Sequence, residues 1–253
     1  MKPIHVLSIG NSFSQDAHRY LHDLARSAGV AIEAVNLYIG GCSLERHYRN
    51  MVGNRREYML EINGHRGDGF LCSMDEALSA RAWDFITLQQ ASPQSFLMES
   101  YEPYLQRLAE HIRYMCPKAK LLLHQTWGYE SGSERIKACG FNTYEEMFFR
   151  VKSCYEKAAA DVRADGIIPS GEAFRQALKA GIKDIHRDTF HAGYGIGRFI
   201  LAMTWLGYLT GYDVGTIAFH DFDCCVDADV YKTAVKSVAS VLEAETSRAG
   251  NNQ

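Results

Sequence analysis

Much is missing from this sequence, and each absence removes a class of function. Seven cysteines stand at 42, 72, 116, 139, 154, 224 and 225, none in Cys-x-x-Cys spacing. An odd number leaves a disulfide framework incomplete, and a zinc ribbon or finger needs pairs, so reduced thiols in a cytoplasmic protein are expected. No metal or cofactor is expected. His18 and His22 lie one helical turn apart but lack the glutamate of a His-Glu-x-x-His site. A nucleotide-binding reading rests only on Gly10 after the first strand, because Gly-x-Gly-x-x-Gly and a Walker lysine are both absent. With 27 basic against 30 acidic residues and no basic run, nothing draws the chain to nucleic acid. One stretch, 192–211, nears the length of a membrane span, but it is glycine-rich and holds Arg198, so a buried helix is the better reading and no membrane partner is expected. The apolar segment Ile4–Ile9 is too short for a secretory signal core. There is no collagen-like period and no heptad array, and five prolines interrupt the chain little.

What remains is a globular chain of 253 residues, 47% hydrophobic, long enough to bury a large core. Apolar runs at Ile4–Ile9, Val30–Tyr38, Trp83–Gln89, Ala119–His124 and Gly166–Ile168 read as buried strands. Helical patterns fall between and after them: Ser14–Ala28, Leu44–Val52, Ser73–Ala80, Glu99–Met115, Thr143–Val162, Gly171–Ala180, Gly193–Leu209 and Asp227–Thr246. Two of these open on capping boxes, Ser73 with Glu76 and Thr143 with Glu146. This alternation predicts one domain over 1–253: an α/β, three-layer α/β/α sandwich around a five-stranded parallel, flavodoxin-like sheet. Tyr58–Ile62 and Gly69–Cys72 flank a turn sequence and predict a surface hairpin within an insertion at about 47–72. Residues 247–253 are expected to be a disordered tail.

Ligands of an open parallel sheet bind beyond the carboxyl ends of its strands. Small, polar loops follow the strands here: Gly10-Asn11-Ser12, Gly40-Gly41-Cys42-Ser43, Gln89-Gln90-Ala91-Ser92 and His124-Gln125-Thr126-Trp127. Asp188-Thr189-Phe190-His191 joins them before the apolar helix. The set holds a serine, a histidine and an aspartate, the parts of a nucleophilic triad. In that arrangement Ser12 attacks, His191 carries its proton and Asp188 fixes the imidazole tautomer. The N–H groups of Ser12 and Gly41 and the amide of Gln90 are candidate oxyanion donors. Taken singly, a serine after a strand is more often a helix cap, Asp-x-x-His is common, and a double glycine usually marks a turn. Cys42 is a rival nucleophile, but most cysteines pack as small hydrophobes.

The ordered combination resembles the SGNH hydrolases, the GDSL-like lipase/esterase superfamily, over roughly residues 4–212. Ile9-Gly10-Asn11-Ser12-Phe13-Ser14 is similar to the first block, Gly41 (or Gly40) to the second-block glycine, and Asp188 with His191 to the last block. A closer resemblance is to a mostly uncharacterised bacterial branch. Its members carry Gly-Asn-Ser, Gly-Gly-Cys-Ser-Leu-Glu-Arg-His, Trp-Asp-x-Ile-Thr-Leu-Gln-Gln-x-Ser and His-Gln-Thr-Trp, as this chain does at 10–12, 40–47, 83–92 and 124–127. The resemblance implies a serine esterase acting on a small acyl ester, such as an O-acetylated carbohydrate. Asn11, Cys42, His124 and Trp127 are then expected to contact substrate. Two departures stand out. Asn11 replaces the usual aspartate, and Gln90 stands where a Gly-x-Asn motif normally supplies an oxyanion donor. The second departure motivates an alternative, a catalytically inactive carbohydrate-binding protein of the same fold. Acyl group, alcohol and oligomeric state are not written in the sequence.

Overall fold

In the computed structural model residues 2–251 are described. The elements are β1 (Ile4–Gly10), α1 (Ser12–His18), α2 (Leu21–Ser27), β2 (Ile32–Tyr38), α3 (Leu44–Val52), β3 (Tyr58–Ile62), β4 (His65–Cys72), α4 (Met74–Ser79), β5 (Phe85–Leu88), α5 (Tyr104–Met115), β6 (Lys120–His124), α6 (Glu134–Ala138), α7 (Tyr144–Val162), β7 (Gly166–Ile168), α8 (Ser170–Lys179), α9 (Ile196–Thr210) and α10 (Ala228–Asn251). The strands lie in the order β4-β3-β2-β1-β5-β6-β7. Five of them, β2-β1-β5-β6-β7, are parallel, which is the flavodoxin order. Apolar runs suit these strands because helices cover both faces of the sheet. One group of helices joins α1, α2, α8, α9 and α10; the other joins α3, α4, α5 and α7.

The sheet is two strands wider than the sequence predicts. The hairpin forms, and β3 pairs antiparallel with β2, so the expected surface insertion extends the sheet edge. Its two-residue turn has Asn63 at φ 52° and Gly64 at φ 78°, the left-handed pair that matches strand twist. A Cβ on Gly64 would lie 2.6 Å from the carbonyl oxygen of Arg19, so the turn sits directly on the end of α1. There the predicted single helix Ser14–Ala28 breaks in two. The break lets the Tyr20 hydroxyl donate to the Tyr194 carbonyl and accept from the Asp223 N–H (2.9 Å).

The apolar stretch at 192–211 becomes α9, buried along most of its length against α1, α2, α8 and α10. Among the described residues no helix is long and apolar enough to cross a membrane. Arg198, the half-buried charge inside that stretch, pairs with the fully buried Asp16 (2.9 Å) and with Asp223 (2.7 Å), and a buried charge such as Asp16 needs such a partner. The final helix continues to Asn251, through most of the segment expected to be disordered; residues 252 and 253 lie outside the described residues.

Candidate active site

Ser12 opens α1 directly after β1. Asn11 is the N-cap, its side-chain oxygen accepting from the Phe13 N–H at 3.0 Å. The cap leaves the Ser12 hydroxyl at the carboxyl rim of the sheet, half-buried. His191 reaches it from a loop far along the chain: Nε2 lies 2.8 Å from Ser12 Oγ. Asp188 accepts twice from His191, from Nδ1 at 2.7 Å and from the backbone N–H at 2.9 Å. A carboxylate only accepts, so the Nδ1 proton faces Asp188 and Nε2 keeps its lone pair for the serine hydroxyl. Burial pulls the Asp188 carboxyl up, but the His191 hydrogen bonds and the charges of His191 and Arg187 outweigh it and hold it below its ordinary value.

The loop that carries Asp188 and His191 is pinned from several sides. Thr189 holds φ 73°, a left-handed conformation costly for a β-branched residue, so its surroundings must enforce it. Its carbonyl accepts from the Glu130 N–H (2.7 Å), and the Phe190 carbonyl accepts from the Trp127 indole (2.7 Å). Asp16, fully buried one turn after Ser12, binds Arg187 through both oxygens at 2.9 Å and accepts from the Ala192 N–H (3.2 Å). The helix that presents Ser12 therefore also holds the loop that presents His191.

The pair opens into a cleft of about 320 Å³, lined among others by Asn11, Gly41, Ser92, Tyr129, Arg135 and Phe190. That is the small end of the range for ligand pockets, which starts at about 300 Å³. Larger hollows, of about 580 and 690 Å³, lie elsewhere, and neither is lined by the serine–histidine pair.

The sequence profile of DUF4886, a domain of unknown function, matches residues 5–238. The chain belongs to this family. A solved DUF4886 protein from Bacteroides uniformis is 33% identical over 95% of both chains, with a TM-score of 0.88. At lower identity the DUF4886 chain has the fold of the SGNH, GDSL-like hydrolases. A protein from Parabacteroides merdae assigned as a GDSL-like lipase matches at 14% identity, TM-score 0.56, covering 82% of this chain and 95% of that one. A family 3 carbohydrate esterase from Clostridium thermocellum matches at 15% identity, TM-score 0.50, covering 83% and 100%. No curated protein matches the chain.

Several residues assigned to this DUF4886 site from sequence are elsewhere engaged. Gln90 is wholly buried, and its amide donates to the Ser100 carbonyl (2.9 Å) and hydroxyl (3.0 Å). Its oxygen accepts from the N–H groups of Leu44 (3.0 Å) and Ala91 (2.8 Å), so no donor is left for an oxyanion. Cys42 does not line the cleft. It is buried with Sγ 3.5 Å from His47 Nδ1, and burial pushes its thiol up to about 12, which removes it as nucleophile and as substrate contact. Trp127 lies beneath the site, stacked on Phe13 with ring centres 4.1 Å apart.

His124 is also buried, and burial holds its imidazole down to about 3. It belongs to a polar chain that crosses the strand ends. Ser170 donates to His124 Nε2 (3.0 Å), His124 Nδ1 to the Gln89 oxygen (2.7 Å), and the Gln89 amide to the Asn11 oxygen (2.7 Å). The Asn11 amide then donates to the Cys42 carbonyl (3.1 Å). Asn11 lines the cleft, but its polar atoms serve the scaffold. Aspartate could not make the last bond, which accounts for asparagine here. Gly41 sits in the loop so tethered, at φ 61°, and borders the cleft.

The sequence reading missed Asp16, Arg187 and Arg135, and named Ser92 only as part of a rim loop. Arg198 alone gave a signal, as a charge within an apolar run that demands a buried partner. Arg135 lies in no recognisable pattern.

Proposed function

We propose that the chain is a serine esterase that cleaves a small acyl ester, with O-acetylated carbohydrates as the substrate class. One observation carries this reading: Ser12, His191 and Asp188 form a continuous hydrogen-bonded relay, 2.8 and 2.7 Å per link, at the edge of a cleft. In the reaction, Ser12 Oγ attacks the ester carbonyl and its proton passes to His191 Nε2. The N–H groups of Ser12 and Gly41 stabilise the oxyanion. The intermediate collapses as His191 returns the proton to the leaving alcohol, giving an acyl-Ser12. Water then repeats the sequence, with His191 as base, and releases the acid. The small cleft favours a short acyl group, and the carbohydrate esterase among the fold neighbours favours a sugar alcohol.

The fully engaged Gln90 amide favours a second reading, a carbohydrate-binding protein of the same fold without turnover, because it removes the expected third oxyanion donor. Hydrolysis of p-nitrophenyl acetate separates the two. The esterase reading expects Ser12→Ala and His191→Ala each to lower kcat by about a thousandfold or more with the fold intact. Equal rates in wild type and both variants contradict it.

A further inference from the structure

The cleft beside Ser12 contains one charged side chain that neither the fold nor the relay uses. Arg135, on α6, lines the cleft with its guanidinium carbon 3.9 Å from the centre of the Phe190 ring. It is exposed, and no ion pair among the described residues includes it; the neighbouring Glu134 is taken by Lys137 at 2.8 Å. By contrast Arg19, Arg187 and Arg198, all close to the same loops, have carboxylate partners. None of the described residues lining the cleft is acidic. A guanidinium stacked on an aromatic face keeps its edge N–H groups free, and that edge fits a carboxylate through two parallel hydrogen bonds.

The chemistry favours one part of the substrate to meet it. The leaving alcohol must take its proton from His191 Nε2, so it lies on the His191 side of Ser12. The His191 and Phe190 rings are in contact, their centres 3.8 Å apart, and Arg135 covers Phe190. Arg135 and His191 thus line one cleft around the same phenylalanine ring, on the side of Ser12 where the leaving alcohol would lie.

We infer that Arg135 selects esters whose alcohol carries a carboxylate, such as an O-acylated acidic sugar, an inference that rests on Ser12 and His191 acting as proposed above. Two acetyl esters of similar shape test it, para-acetoxybenzoate and its neutral counterpart para-acetoxybenzamide. The wild type is expected to prefer the anionic ester in kcat/KM, and Arg135→Gln to lower the anionic-to-neutral ratio about tenfold, mainly through KM, with partial rescue by Arg135→Lys. A second measurement needs no turnover: calorimetry of para-hydroxybenzoate and para-hydroxybenzamide binding to the Ser12→Ala protein, with and without Arg135→Gln. The carboxylate is expected to bind more tightly, and Arg135→Gln to erase the difference. Turnover with the same charge preference in wild type and Arg135→Gln overturns the role of Arg135 and leaves that of Ser12 standing. Charge-dependent binding without turnover of either ester overturns the esterase reading, while the carboxylate site stands.

Discussion

Two polar clusters share the carboxyl rim of the sheet, and they differ in what their atoms have left to give. Ser12 and His191 border an open cleft with Asp188 behind them, and all three are at least partly accessible. Gln89, Gln90, His124 and Ser170 are buried a few residues away, and their side chains are spent on one another and on loop backbone. Ser12 in the first cluster and Gln89, Gln90 and His124 in the second all fall in the motifs that carry the resemblance to the bacterial branch. Membership of a block therefore does not separate chemistry from scaffold; spare hydrogen-bonding capacity beside a cleft does. The buried cluster still has a part in the site, because it ends on Asn11 and fixes both the turn before Ser12 and the Gly41–Cys42 loop.

The contrast can be broken at three points. The largest effect is expected at Asp16, which ties the His191 loop to the helix that carries Ser12. Asp16→Ala leaves Arg187 without its buried partner and Arg198 with Asp223 alone, and stability should fall by about 3–5 kcal/mol in urea titration. The kcat of the protein that remains folded should fall too, since the His191 loop loses its anchor; full activity and unchanged stability would show that Asp16 supports neither. Gln90→Ala comes next. It strands the N–H groups of Leu44 and Ala91, and a loss of about 2–3 kcal/mol is expected with kcat per folded molecule retained within a few-fold. A collapse of kcat at unchanged stability would return Gln90 to the oxyanion site.

The smallest effect concerns pH. Burial holds His18, His47 and His124 down to about 3 in the fold, while in the unfolded chain they titrate at their ordinary value near 6.5. Between those values the unfolded state binds more protons, so stability is intact above about pH 6.5 and falls as the pH drops towards 3. His124→Gln should remove about 0.7 of a proton from that slope, about 1 kcal/mol per pH unit, in urea midpoints taken from pH 7 to 5. An unchanged slope would mean that His124 is not the buried, neutral link described.

How far the sequence carried these conclusions depends on the kind of signal. The parallel strands were legible because apolar runs between helical patterns admit few arrangements, and the hairpin because Asn63-Gly64 supplies two left-handed residues. The meeting of Ser12 with Asp188 and His191 followed from strand-end topology together with the family blocks. Gln90, His124 and Trp127 were misread because amides, imidazoles and indoles suit a cleft and a buried lattice equally well, and only burial separates the cases. The broken helix at Arg19–Tyr20 depends on Gly64 and Tyr194, distant partners that no local pattern contains.

The central claim is that the Ser12 hydroxyl is the nucleophile. A fluorophosphonate probe, followed by proteolysis and mass spectrometry, tests it without any assumption about substrate. One adduct on Ser12, lost in the Ser12→Ala protein and strongly slowed in His191→Ala, is the predicted result. Labelling of another residue, or an intact protein that takes no label, would contradict it.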